Sequence, residues 1–582
     1  MVSKSRKCKS AGSHLAYALA GVVAVGLTTS QIALAQDSST ASSVTAENFA
    51  PKLQNLNGAV VFSGATGSKA PPGAEKIGIT LSDVNLKGGL SQMAAANAAL
   101  KARLTGRRVA VSELFNAVAS LEEAYANAGF VLVRVVLPQQ NLRDGGVLKV
   151  AVVDGFVETV DSSSVPPEVQ KRIDLLVAPL VDRKGLTLRQ LERQLLLAGD
   201  TAGVALGTAL GAGRLPGGTV LTLKPEYKKI TGFVGFDNFN AAGLGEYSVN
   251  AGAEFNSPFG YGESFYIRAS GAPQDYLTSD PRYRILAGGF VLPIGASGSV
   301  LNGEITKSDT TPDNPAAPTR SNFDRQSLRF LTPVIRSRQV NLTTRLSIDR
   351  QQDSQDLIAG GGKTPIYEDK ITVLRLGGSL SYVHDDGAFS DVGAVLSRGV
   401  DTWGARTVAD AVGGTPLSRQ GADAEFSKLS LSGFHQRSLA ENIVLSLTGR
   451  AQVSFGDSLV TSEQFGLAGP RELSGFESGQ LRGDSGWAVR AEVAHQSRAT
   501  FGTTPVVLGP YAFVAAGGVS IEQPTALESA SEDAQSYGVG LDLLTQTESR
   551  FRASSLRVEL ARGERDNGPN DTRFTISGNF RF

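Results

Sequence analysis

The spacing of apolar and polar positions divides this 582-residue chain into four stretches. Lys4, Arg6, Lys7 and Lys9 precede an apolar run over residues 15–27, and Ala33-Leu34-Ala35 forms an A-x-A box before Gln36. A basic head, an apolar middle and small residues at the cut predict a cleaved export signal over 1–35. Residues 36–75 have little periodicity. Ser63-Gly64-Ala65-Thr66-Gly67-Ser68 and Pro71-Pro72-Gly73 read as linker, with one short amphipathic helix expected over 47–56.

Helical and strand periods then mix. Ser112 is placed to cap a helix that carries Leu114, Val118, Leu121 and Tyr125 on one face and stops near Gly129. A strand-like run covers 130–137, turns follow at Pro138-Gln139-Gln140-Asn141-Leu142 and Asp144-Gly145-Gly146, and a strand is expected over 147–153. The theme recurs with helices over 165–177 and 187–197, Gly-rich turns and a strand over 219–223. The plain reading is two α+β modules in tandem, 76–160 and 161–230.

From about residue 231 the period falls to two. Leu342, Thr344, Leu346 and Ile348 alternate with Thr343, Arg345, Ser347 and Asp349. Leu374 and Leu376 alternate with Arg375 in the same way. The pattern continues through Ile443, Leu445 and Leu447, Trp487, Val489 and Val493, Tyr537 to Leu543, and Leu556, Val558 and Leu560. About sixteen such segments fit between 231 and 582. Their joints alternate long (near 271–282, 309–324, 353–369, 401–422, 456–485, 522–535 and 565–571) and short (near 256–262, 293–299, 336–339, 384–387, 440–442, 498–505 and 547–550). Long loops on one side and short turns on the other mark a transmembrane β-barrel. An even strand count returns the last strand, with Phe580 and Phe582, to the side where the chain entered. That strand must pair with the first, because lipid offers backbone groups no other partner. Arg345, Arg375, Arg490 and Glu492 are then expected to face the lumen.

Composition narrows the classes. The 56 basic and 56 acidic residues balance, without the basic excess of a nucleic-acid-binding protein. Mean hydropathy is −0.06, and no mature stretch has the roughly 18 apolar residues of a spanning helix. The one cysteine, Cys8, falls in the expected signal, so disulfides, thiolate metal sites and cysteine nucleophiles are not expected.

Several motifs in order resemble the two-partner secretion (TpsB-type) transporters, the hemolysin secretion/activation family, over roughly 76–582. Tyr125 on its helix, Gly129-Phe130 and Leu137-Pro138-Gln139-Gln140 resemble that family's first POTRA domain. Residues 186–193 and Leu215-Pro216-Gly217-Gly218-Thr219 resemble the second. Phe236-Asp237-Asn238 and Asn256-Ser257-Pro258-Phe259-Gly260 resemble its first barrel hairpin. The resemblance implies POTRA modules followed by an all-β transmembrane barrel of about 16 antiparallel strands in the bacterial outer membrane, the modules in the periplasm. It also implies a loop over 456–485 folded into the lumen. Leu473, Gly475 and Phe476 match the loop's (V/I)RG(Y/F) tetrad, and Gly483, Asp484 and Gly486 match the segment after it. Ser474 replaces the tetrad's arginine. On the facing strand, Phe513 and Gly517 match an F-x-D-x-G pattern, with Ala515 in place of the aspartate.

Loss of one member of that pair would strand a buried charge at about 3–5 kcal/mol, whereas loss of both can be nearly neutral. The loop is therefore expected to insert still, held through Phe476 and Arg471 or Arg482. The implied function is nucleotide-free passage of a partner exoprotein, docked by β-augmentation on a module edge at Leu132, Val133, Arg134, Val135 and Val136. The implied partners are the exoprotein, the bilayer and, during biogenesis, the barrel-assembly machinery reading Phe580 and Phe582, with a monomer as the working unit. A barrel-assembly protein and a passive porin are the rival readings. Gly483-Asp484-Ser485-Gly486 imitates a serine-protease segment, but His384, His435 and His495 lie in no protease-like context. No catalytic residue, metal ligand or cofactor is expected.

Overall fold

The computed structural model describes residues 39–51, 61–62, 70–359, 362–502, 504–546 and 549–582. The expected export signal lies outside them. Residues 47–51 are not helical, contrary to expectation, and the rest of that expected helix lies outside the described residues. A single helical turn sits earlier, at α1 (Ala41–Val44).

A two-residue strand, β1 (Val61–Phe62), precedes the first module. That module orders β2 (Gly78–Lys87), α2 (Ala94–Leu104), β3 (Arg108–Ala110), α3 (Val111–Asn127), β4 (Arg134–Val136) and β5 (Gly146–Val153), with sheet order β3-β2-β5-β4. Helix α3 buries Leu114, Val118, Leu121 and Tyr125 as its period requires. Its N-cap is Ala110 without a side-chain bond, so Ser112 is inside the helix and caps nothing. The strand expected over 130–137 shrinks to β4, because Phe130 to Val133 form a turn closed by the Val133 N–H on the Phe130 carbonyl.

The second module repeats that order without a strand between its helices: β6 (Phe156–Asp161), α4 (Pro167–Val177), α5 (Leu188–Gly199), β7 (Val204–Ala212) and β8 (Gly218–Tyr227). Thr187 and Gln190 exchange reciprocal side-chain and backbone bonds at the start of α5, which fixes where that helix begins. Leu132, reached from the turn before β4, is buried in this module's core beside Val157, Ile173 and Leu221.

Among the described residues, sixteen antiparallel strands between Ile230 and Arg581 close into a barrel. One of them is interrupted at Gln496, and both of its parts pair with Thr504–Ser520. Leu346, Leu374, Leu376, Val489, Val539 and Leu560 are exposed on the outside. Asp349, Arg490 and Glu559 on the same strands are buried inside. An exposed apolar band this extensive is stable only against lipid. No helix among the described residues is long and apolar enough to cross a membrane.

The joint expected over 353–369 is instead strand. Val340–Ala359 and Gly362–Val383 pair through twenty positions, and Thr319–Arg336 pairs with the first of them through seventeen. Likewise most of 498–505 is strand, in Ser497–Phe501 and Thr504–Ser520. The closing seam is short: Ser577 to Arg581 pair with Asp237 to Phe233. Asn238 extends it, donating through Nδ2 to the Phe574 carbonyl at 2.9 Å and accepting from the Ile576 N–H at 2.8 Å. Phe580 stacks on Phe236 across the seam, and Phe582 exchanges two backbone bonds with Gly232.

The second module is fastened to the barrel's short turns. Arg336 grips Asp200 with two bonds of 2.8 and 2.6 Å, and Arg193 donates to the Pro333, Val334 and Ser297 carbonyls. Burial pushes the Asp200 carboxyl above its ordinary range despite that guanidinium. Leu197 packs so closely on Gly298 that a Cβ there would lie 2.3 Å from it.

Candidate functional site

The lumen holds two inserted segments. The first, residues 39–51, runs along strands Ser299–Thr310 and Thr319–Arg336. Thr310 Oγ1 donates to the Ser39 carbonyl (2.7 Å) and the Ala41 N–H to Ser321 Oγ (3.1 Å). Arg325 and Arg329 donate to the Ala46 and Glu47 carbonyls, and the Phe49 N–H reaches Glu304 Oε2 (2.9 Å). Glu304 is buried between Arg325 and Arg329 at 3.2 and 3.1 Å, so two guanidinium groups share one carboxylate and offer the segment hydrogen bonds.

The second is the long connection between strands Ile443–Val453 and Ser485–His495, which folds inward. Its tip, Leu473-Ser474-Gly475-Phe476, is buried. Gly475 touches the opposite wall backbone to backbone: a Cβ there would sit 2.4 Å from the Gly563 nitrogen. The Gly475 N–H donates to Ser536 Oγ (3.0 Å), the Phe476 ring covers Gly563, and Arg573 donates to the Phe476 carbonyl (2.8 Å). The loop's base packs Leu467 onto Gly517, where a Cβ would collide at 2.2 Å. Gly517 is thus a seat for a loop side chain, and Gly475 lets the loop backbone touch the wall.

Ser474 and Ala515 do not face an empty space. Arg490, on the strand beside them, stands directly across from Ala515 in register. Its guanidinium donates to Ser474 Oγ (3.1 Å), pairs with Glu559 (2.6 Å) and Glu492 (3.0 Å), and lies over the Phe513 ring. Tyr511 donates to Glu559 (2.7 Å), and Arg557 bridges Glu559, Glu492 and Asp542. The arginine therefore sits on the wall, with its acid three strands further on, and the loop meets it through a neutral hydroxyl.

Other contacts fix the rest of the loop. Glu463 is clasped by Arg375 (2.5 Å) and Lys428 (2.8 Å), with Asp349 on the far side of Arg375 at 2.7 Å. Glu472 pairs with Arg450 at 2.7 Å. Asp484 binds Arg419 (2.8 Å) and accepts the Leu459 and Glu522 N–H groups, tying three loops together. The expected anchors differ: Phe476 does hold the tip, Arg471 is exposed, and Arg482 donates to the Gly479 carbonyl within its own loop. Periodicity placed Arg375, Arg490 and Glu492 on the inner face. Glu463 and Lys428 carried no local signal, because their partners lie 88 and 35 residues away.

Of the expected docking edge, Arg134, Val135 and Val136 form β4, while Leu132 and Val133 are buried in the turn before it. The edge is also blunted: Glu122 accepts the outward Val135 N–H at 2.9 Å and pairs with Arg134 at 3.5 Å. Ser485 bonds Ser454, not a histidine. His384 and His435 instead share Ser390 Oγ at 2.8 and 2.9 Å. Among the described residues no group of three or more His, Cys, Asp or Glu is arranged to hold a metal ion.

A closed sixteen-stranded barrel with an inward loop and α/β modules at its short-turn end defines an outer-membrane barrel with appended domains. Two family models match: the POTRA domain, ShlB-type, over 79–155, and the haemolysin secretion/activation protein ShlB/FhaC/HecB over 217–543. The chain belongs to the haemolysin secretion/activation family.

Among curated relatives, the outer membrane transporter CdiB of Escherichia coli O6:K15:H31 (strain 536 / UPEC) is 26% identical over 387 residues. That alignment covers 64% of this chain and 62% of the relative. The heme/hemopexin transporter protein HuxB of Haemophilus influenzae (strain 86-028NP) is 22% identical over 398 residues, 67% of each. The solved structure of CdiB from Escherichia coli superposes with a TM-score of 0.68 at 19% identity, covering 90% of this chain and 94% of that one.

Proposed function

We propose that this protein carries a partner exoprotein, hemolysin- or adhesin-like in class, from the periplasm to the cell surface through its lumen, without nucleotide. The observation that carries the reading is the filling of a sealed barrel by two segments of its own chain. Residues 39–51 are held by hydrogen bonds to a charged wall, and the loop by hydrogen bonds, ion pairs and an apolar patch of Leu467, Leu473 and Phe476 against Phe513 and Ala561. A passive porin has no use for such fillers, nor for a second module fastened by Arg336 and Arg193. On this reading the second module is a further POTRA domain. The chain is a conduit and not an enzyme, it works as a monomer, and the barrel-assembly machinery inserts it by reading Phe580 and Phe582. Folding of the cargo outside supplies direction, because a folded domain is favoured by several kcal/mol and cannot return.

Deleting residues 76–160 tests the reading. The barrel should still insert, and one exported protein should disappear from the medium and accumulate in the periplasm. Unchanged secretion together with misassembly of other outer-membrane proteins would point to the barrel-assembly rival instead.

A further inference from the structure

Three adjacent strands of the wall are longer than a bilayer requires. Thr319–Arg336, Val340–Ala359 and Gly362–Val383 have 18, 20 and 22 residues, whereas about 9–11 span the hydrocarbon. The surplus lies at the long-loop end, because short turns at 337–339 and 384–388 close the other. Cross-strand partners share a face, so the register shows where the outward side changes character. Leu328, Ile348 and Leu374 lie in one outward row, which Arg398 of Phe389–Val400 ends. The next row toward the long loops is Gln326, Arg350 and Thr372. Above it stand Asp324, Gln352 and Lys370, and then Asn322, Ser354 and Glu368. Apolar side chains give way to charges, amides and hydroxyls in one step, and the polar face continues for two more rows.

Charge along that boundary is not balanced. Lys370 pairs with Glu368 at 2.9 Å, and Lys307 on the neighbouring strand faces Asp324 at 3.8 Å. Arg350 is exposed, and its side chain has no ion pair or hydrogen bond among the described residues. Arg398 is exposed too and holds only the Ser427 hydroxyl, at 2.8 Å. Two strand spacings and a two-residue offset put the Cα atoms of these arginines about 12 Å apart. Elsewhere on the wall the first outward residues beyond Val489, Val539 and Leu560 are Trp487, Tyr537 and Arg562, and Arg562 already pairs with Glu564 at 3.1 Å.

We propose that this outer face, around Arg350 and Arg398, binds a phosphorylated glycolipid of the outer leaflet. Its phosphate lies on the two guanidinium groups, whose planar forks match that anion. Its sugars lie against the polar rows above. Those rows rise about 10 Å along the tilted strands, more than the roughly 5–8 Å of a phospholipid headgroup layer, so a sugar headgroup is needed to cover them. The long loops mark the cell-surface side, where such a lipid is found. The site lies half-way round the wall from the closing seam. The glycolipid therefore grips the barrel where strand pairing is most extensive and leaves the short seam free, whatever passes through the lumen.

The test titrates the full chain, stripped of lipid in detergent with EDTA present, and counts bound lipid by native mass spectrometry. The probes are bisphosphorylated lipid A, its dephosphorylated form and phosphatidylglycerol. The parent should bind lipid A about tenfold more tightly than either of the others. Arg350→Gln with Arg398→Gln should weaken lipid A binding about tenfold, while Arg562→Gln, elsewhere on the wall, should bind as the parent does. Arg350→Lys with Arg398→Lys keeps the charge without the fork and should fall between the two. Heat-resistant migration of the folded barrel, checked for each variant, separates a lost site from a lost fold. A folded double glutamine variant that binds like the parent would overturn the site. Equal binding of the dephosphorylated lipid would overturn recognition of phosphate, and equal binding of phosphatidylglycerol would overturn the choice of a glycolipid.

Discussion

The inward loop is held at its two ends in opposite ways. Near its start the loop brings the charge: Glu463 enters a site where Arg375 and Lys428 wait, and Asp349 offsets only one of them. At its tip the wall brings both charges, Arg490 and Glu559, and the loop adds the Ser474 hydroxyl. Withdrawing the tip leaves Arg490 and Glu559 paired with each other. Withdrawing Glu463 leaves Lys428 buried with neutral partners alone. The difference teaches that one end is an anchor and the other a latch, because the cost of removal is set by which side owns the compensating charge.

The comparison can be broken by experiment. Glu463→Gln should have the largest effect, weakening loop insertion by about 3–5 kcal/mol and visible as a strong rise in planar-bilayer conductance. An unchanged conductance would remove the anchor. Gly475→Ala forces a methyl against the Gly563 backbone and should cost about 2 kcal/mol, read as faster proteolysis of the loop in intact cells. Ser474→Arg places a second guanidinium beside Arg490 and should also loosen the tip. Adding Ala515→Asp should recover part of the loss, and a double-mutant cycle showing no coupling between the two positions would contradict the placement of Arg490. Ser474→Ala, which removes one hydrogen bond from an arginine that keeps Glu559 and Glu492, should cost only about 1 kcal/mol in the same assays. If it matched Glu463→Gln, the distinction between anchor and latch would fail.

The barrel was the most legible part of the chain. A period of two over three hundred residues, with Leu346 and Leu374 out and Asp349 and Arg375 in, leaves little freedom once lipid lies on one side. The loop motif was legible as Leu473, Gly475, Phe476 and Gly483, and the paired change at Ser474 and Ala515 was visible as a departure. Its resolution was not. Arg490 looked like any inward arginine, and Glu559 lies 69 residues from it, three strands further round the wall. The boundaries at Ser112, 130–137 and 353–369 were misread because a cap, an edge and a loop depend on what packs against them.

Sequence by itself determined the alternation, the order of modules and barrel, and the inner or outer side of each strand residue, since these follow from the pleat and from local period. Only the tertiary structure decided which charge meets which, that β1 completes the second module's sheet, and that residues 39–51 fill the lumen. Those pairings join positions tens to hundreds of residues apart. They are chosen by closure of the cylinder and by the need of each buried charge for a partner, and no local pattern encodes either.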